Sequence, residues 1–290
     1  MSYADTEELP PPLTLTSLLR VSAGQPGGLV EHFIGGINLT GHARKSAVQA
    51  LAERSMRIRL GSSPLFGKWQ DRRNGGPSLE ETSRKVLEVY VKPGFGVPGN
   101  PANSNTLQGH VAELIWDQVL RERSSCDDGR RIEQMPDIKV DTGDHGADGL
   151  IIYKRDDGIL VFRLWEVKKL DTPHQTVPGR IREASNQLSD RGAEYLAKLA
   201  GPETIDQDGE LGDLYANMVE LWLDESERAG AGVSIATSKQ YAPALPDPFK
   251  SLSEKFPKLG ESGQLEGLVV AVPDFSEFAS DVRSDVWSGL

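Results

Sequence analysis

Residues 147–170 read ADGLIIYKRDDGILVFRLWEVKKL, and this stretch decides the fold. Two runs rich in branched and aromatic residues, 147–154 and 159–167, flank Arg155-Asp156-Asp157-Gly158, which ends in a hairpin-type Asp-Gly pair. The pattern predicts two strands joined by a tight turn. Side chains alternate faces along a strand, so Glu166 and Lys168 project one way while Val167 and Lys169 project the other. With the turn closing one end of the pair, Asp148 approaches Glu166 at the other, open end.

Working outward, residues 106–122, TLQGHVAELIWDQVLRE, place Val111, Leu114, Ile115, Val119 and Leu120 largely on one helical face. Residues 131–140 form a candidate strand weakened by Pro136. After the hairpin, helical spacing returns at 179–200 through Ile181, Ala184, Leu188, Tyr195 and Leu199. A helix from 211 to about 228, a strand at 232–237 and a buried-strand candidate at 265–272, LEGLVVAV, follow. The order from 106 to 237 is helix, three strands, helix, strand, with the 211–228 helix as an insertion or extra layer. This predicts an α/β fold, a mixed sheet flanked by helices.

Ahead of this core, residues 1–30 carry Pro10–Pro12 and Gly24, Gly27 and Gly28 and read as a loose lead-in. Helical spacing runs from 42 to 60 and stops at Gly61. A glycine-bearing polar loop is expected at 67–77, a short helix at 79 to about 90 and a linker or extended loop at 93–104. The expected division is a mostly helical, basic region at 1–95 and a second domain at 96–290 that ends in an acidic segment.

The chain has 290 residues, enough to bury a full core, and the composition of an ordinary globular protein. No apolar run approaches the roughly 18 residues of a membrane span. The acidic, proline-rich start matches neither a secretory signal nor a transit peptide. One cysteine, Cys126, excludes an internal disulfide framework and a cysteine-rich zinc site. These features lead to the expectation of a cytoplasmic protein.

The net charge of −11 is unevenly spread. Residues 41–95 hold eleven Lys and Arg against five Asp and Glu, whereas residues 201–290 hold six against seventeen. The basic stretch, with Arg54, Arg57, Arg72 and Arg73, fits a set of phosphate contacts and fits a solvated helical face equally well.

Two carboxylates beside a lysine make a hard-oxygen site for Mg²⁺ or Mn²⁺. Phosphodiester hydrolysis needs such a site, because a divalent ion offsets phosphoryl charge and lowers the pKa of water. Lys168 is placed to orient that water or to neutralise developing charge. Asp148, seventeen residues, then Glu166-Val167-Lys168 resembles the PD-(D/E)XK phosphodiesterase superfamily, and the element order resembles its core.

The resemblance implies a nuclease in which Asp148, Glu166, the Val167 carbonyl and a helical acid, matched by Glu113, hold the metal. Residue 147 is Ala where the motif has Pro, and Arg191 rather than Tyr stands four residues after Gln187. A narrower resemblance is to bacterial antiphage-defence nucleases, such as the nuclease subunit of the Hachiman system, which works with a helicase.

That resemblance implies DNA as substrate and a helicase or ATPase partner. A homodimeric type II restriction endonuclease and a catalytically silent nuclease-fold scaffold are the alternatives. Asp148 before Gly149 also suits an ordinary turn, and Glu113 an ordinary surface position. Glu166, between Trp165 and Val167 on an apolar strand, needs a partner, which Lys168 or a metal supplies. His110 and His145 flank the site and fit a hydrogen-bonding scaffold better than a ligand role.

Overall fold

The computed structural model describes residues 13–24, 28–123, 126, 128–138, 148–244 and 247–290, apart from the side chain of residue 205. His145 and Ala147 lie outside the described residues. The chain begins with α1 (Leu15–Leu19), β1 (Ser22–Ala23), β2 (Val30–Gly35), α2 (Gly41–Leu60), α3 (Pro64–Arg73) and α4 (Glu81–Phe95). A small hairpin, β3 (Gly96–Val97) and β4 (Asn100–Pro101), leads into α5 (Ser104–Arg121). Then come β5 (Arg131–Gln134), β6 (Gly149–Lys154), β7 (Leu160–Leu170), α6 (Val177–Asp206) and α7 (Gly209–Leu223). The chain finishes with β8 (Ala231–Ser238), α8 (Lys250–Lys255), β9 (Leu265–Val272) and α9 (Phe275–Ser288).

The expected mixed sheet flanked by helices is present, with strand order β1-β2-β9-β8-β7-β6-β5. Strands β2, β9, β8 and β7 run parallel, and β1, β6 and β5 pair antiparallel at the two sides. Parallel strands are covered on both faces and so tolerate continuous apolar runs. All eight residues of β8 and all eight of β9 are buried accordingly. One face packs against α1–α5 and α9, with Trp116, Trp165 and Val167 in its core. The other packs against α6, α7 and α8 through Leu164, Leu170, Ile181 and Leu188. No helix among the described residues is long and apolar enough to cross a membrane.

The hairpin forms as its alternation predicts: β6 and β7 pair antiparallel from Gly149↔Trp165 to Lys154↔Leu160. Several expectations for the N-terminal third are corrected. The stretch expected as a loop at 67–77 is helical to Arg73, because Ser63 caps α3, Pro64 starts it, and Phe66 and Trp69 bury its inner face. The stretch expected as a linker or extended loop at 93–104 holds a kink at Pro93–Gly94, then the short β3–β4 hairpin.

Within the lead-in expected at 1–30, residues 15–19 form α1, and β2 starts at Val30 to pair with β9 from Val30↔Leu265 to Gly35↔Val270. Residues 1–95 therefore supply strands to the same sheet as 96–290, and Leu51 and Met56 share one core with Trp116 and Phe278.

Candidate active site at the open end of the hairpin

Asp148 sits one residue before β6, where its N–H donates to the Trp165 carbonyl at 3.2 Å. Its Oδ2 accepts from the Val167 N–H at 2.6 Å, which fixes the carboxylate beside Glu166 on the neighbouring strand. Gly149 follows for a packing reason rather than a turn. A Cβ there would lie 1.8 Å from Cη2 of Trp116, so the bare backbone lets α5 approach the start of β6. Glu113, one turn before Trp116, rides on that helix toward the same corner.

Glu166 is 2% exposed. Its Oε1 accepts from Lys168 Nζ at 2.6 Å, while Oε2 is buried with no hydrogen-bond partner among the described residues. Burial first, and then the nearby Asp148 charge, push the Glu166 carboxyl up to about 8 despite Lys168. Glu113, its side chain 24% exposed, is also raised well above the usual carboxylate range. Burial is again the largest cause, followed by Asp148 and Glu166, with Arg59 opposing. Three of the expected site residues thus stand within one another's fields, and Lys168 completes the group.

Lys168 has a second anchor that the spacing did not reveal. Its Nζ donates to Gln187 Oε1 at 2.8 Å, and Gln187 Nε2 donates to the Tyr195 hydroxyl at 3.0 Å. The tyrosine absent four residues after Gln187 is therefore supplied two turns on, from the same face of α6. Arg191 lies over the Tyr195 ring at 4.8 Å, and its charge reaches Glu166. Lys169, on the opposite face of β7, bonds Asn105 and Gln108 of α5 at 2.7 and 3.2 Å. His110 is buried behind Glu113, 2.9 Å from Arg59.

The fit to a metal follows from the donor set. Among the described residues no group of three His, Cys, Asp or Glu is closed into a ready cation cage. Glu166 instead faces Lys168, and Asp148 faces the Val167 amide. The donors that crowd here are carboxylates, one of them with a buried oxygen that has no hydrogen-bond partner among the described residues, and such hard oxygen donors are the kind a divalent cation such as Mg²⁺ takes. Val167 contributes its N–H to Asp148, and its side chain lies in the core beside α5.

The four arginines expected at phosphates are held within the protein to different degrees. Arg54 bonds Asp117 and Asp137, each at 2.7 Å, and Arg73 forms an ion pair with Asp285 at 3.0 Å. Arg57 pairs with Glu53 and lies over Phe66 with its side chain 54% exposed, and Arg72 donates to the Gly76 carbonyl. These contacts do not gather the four side chains beside Asp148 and Glu166. No protein-family model matches the chain, and no curated protein matches it.

Proposed function

We propose that the chain is a divalent-metal-dependent nuclease that hydrolyses DNA phosphodiester bonds, with Mg²⁺ or Mn²⁺ held by Asp148, Glu166 and Glu113. The observation that carries this reading is Glu166: buried, with one oxygen on Lys168, the other without a hydrogen-bond partner among the described residues, and its pKa raised by burial and by the Asp148 charge. Such repulsion persists in a folded protein where function requires it. A bound divalent ion supplies Lewis acidity and a lowered pKa for water.

The protein's own groups do the rest. Asp148 is oriented by the Val167 amide, so its carboxylate faces the site without a search through rotamers. Lys168 is held by Gln187 as well as by Glu166. It would therefore keep its place with Glu166 on an ion, and a free N–H of its ammonium would offer charge to a phosphate oxygen. Arg191 on α6 is a further cation whose charge reaches Glu166; its own pair with Glu194 is at 3.4 Å and exposed, whereas Arg54 and Arg73 are held by carboxylates at 2.7 and 3.0 Å. A cytoplasmic setting and a role in antiphage defence beside a helicase or ATPase partner belong to the same proposal, as does the homodimeric restriction alternative.

The catalytically silent scaffold is favoured by one observation, the Lys168–Glu166 ion pair standing in a site with no closed cage. Plasmid cleavage separates the readings. The wild-type chain is expected to nick or cut DNA with Mg²⁺ or Mn²⁺ and to stop with a chelator. Asp148→Ala is expected to lose at least about 100-fold in rate, on the scale of removing one electrostatic stabiliser. Undiminished cleavage in that variant would refute the assignment.

A further inference from the structure

Behind Glu113 lies a buried chain of polar groups that the hydrolytic reading does not use. Arg59 of α2 is nearly sealed from solvent, and its Nη2 stands 2.9 Å from His110 Nε2 and donates to the Pro93 carbonyl at 2.8 Å. A guanidinium has donors only, so Nε2 of His110 is the acceptor and its ring proton sits on Nδ1. That Nδ1–H is buried without a hydrogen-bond partner among the described residues. It lies 4.0 Å from Oε2 of Glu113, one helical turn along α5.

The surroundings fix this arrangement. Phe95 meets the imidazole edge-on at 5.0 Å and lies under the Arg59 guanidinium at 5.1 Å. Gly94, at φ +82°, closes over the ring: a Cβ there would lie 2.8 Å from His110 Cδ2. The kink at the end of α4 thus frees one carbonyl for Arg59 and seats bare backbone against His110.

We infer that His110 is a positioning residue, locked by Arg59 as its Nδ1–H tautomer so that it donates to Glu113 and turns that carboxylate toward the metal. The inference rests on the metal-dependent reading above. A modest rotation of the Glu113 side chain closes the remaining gap. Through this contact the N-terminal helices, remote from the hairpin in sequence, set the orientation of one ligand. Partners that orient metal-binding carboxylates generally affect affinity by about 10–100-fold.

Two variants of the full chain divide the roles of the two ring nitrogens. H110Q keeps an acceptor for Arg59 and loses the donor toward Glu113, whereas H110N keeps a donor amide at the near position. Mn²⁺ titration, followed by the paramagnetic resonance of the free ion, is expected to weaken about 10–100-fold in H110Q. In H110N it is expected to stay within about threefold of wild type, the size of an undisturbed contact on that scale.

Equal Mn²⁺ affinity in wild type and H110Q, in a wild-type chain that binds Mn²⁺ and cuts DNA, overturns the positioning role alone. A wild-type chain that neither binds Mn²⁺ nor cuts overturns the functional reading and this inference with it. Independently of any variant's folding, ¹⁵N spectra of the wild-type imidazoles are expected to show the His110 proton on Nδ1. A proton on Nε2, or on both nitrogens, overturns the proposal.

Discussion

Replacing Glu166 by Gln removes the group on which the site's electrostatic cost concentrates, and the outcome can be worked through. The carboxyl is raised from 4.5 to about 8 in the folded chain. Below pH ~4.5 it is protonated in both folded and unfolded states and contributes nothing. Between pH ~4.5 and 8 the unfolded state releases its proton while the folded state keeps it, so stability falls as pH rises. Above 8 the full penalty is present. A shift of that size has a ceiling of about 5 kcal/mol. Sharing the repulsion with Glu113 and losing the Lys168 pair reduce it, so the Gln variant should gain on the order of 2–4 kcal/mol at pH 9.

For a chain of this length that corresponds to a rise of roughly 3–7 °C in Tm. The assay is thermal unfolding from pH 4.5 to 9 in chelator, with far-UV spectra confirming the fold. The advantage of the variant should vanish near pH 4.5 and level off above pH 8. Saturating Mn²⁺ should then stabilise wild type and not the variant, since only a folded state with its ligands intact gains from binding. An advantage that is absent at pH 9, or largest at pH 4.5, would show that Glu166 is not held against repulsion at all.

Three further outcomes follow from the geometry. Lys168→Ala is expected to lower the cleavage rate at least about 100-fold while shifting Mn²⁺ affinity only a few-fold, and Lys169→Ala, on the other face of β7, should change the rate less than about threefold; equivalent effects would remove the geometric basis. Arg54→Ala should cost about 2 kcal/mol in urea unfolding, because it strips one partner from the fully buried Asp117; a loss below roughly 0.5 kcal/mol would mark Arg54 as an ordinary surface cation. Gly149→Ala should cost roughly 2–3 kcal/mol, since the new methyl meets the rigid Trp116 indole at 1.8 Å. A neutral Gly149→Ala would mean that α5 does not approach β6 this closely.

Local information was enough for the centre of the fold and little else. The β6–β7 hairpin was legible because strand alternation and an Asp-Gly turn are written within 24 consecutive residues. Helix α5 was legible from spacing, and with it the place of Glu113. Strand β2 was not, because VEHFIG breaks its apolar run with Glu31 and His32. Glu31 finds its partners Arg123 and Arg130 about 90–100 residues away, and no window along the chain contains both ends of that contact. The same limit hid Gln187 as the anchor of Lys168, since the helix and strand that bring them together are separated by a loop. Asp148–Gly149 was ambiguous for a different reason: turn chemistry and close packing both favour glycine there, and only the position of Trp116 separates them.

The charge distribution shows how a correct count acquires a different meaning once distances are known. The basic excess at 41–95 and the acidic excess at 201–290 are far apart in sequence, and they meet where α2 and α3 pack against α9. Arg44 bonds Asp281 at 2.7 Å and Glu277 at 3.3 Å, and Arg73 forms an ion pair with Asp285 at 3.0 Å. Arg54 is spent in the same way on the buried Asp117 of α5. Part of the basic stretch is therefore an internal counter-charge that fastens the N-terminal helices to the rest of the chain. A DNA phosphate reaching Arg54 or Arg73 would have to displace a carboxylate already in place, so the exchange gains little. On the proposed reading the cations nearest the site are Arg191 and Lys168, themselves paired with Glu194 and Glu166, on a protein whose net charge of −11 repels nucleic acid at long range. A nuclease with those properties would bind free DNA weakly and depend on a partner or a second copy to deliver it.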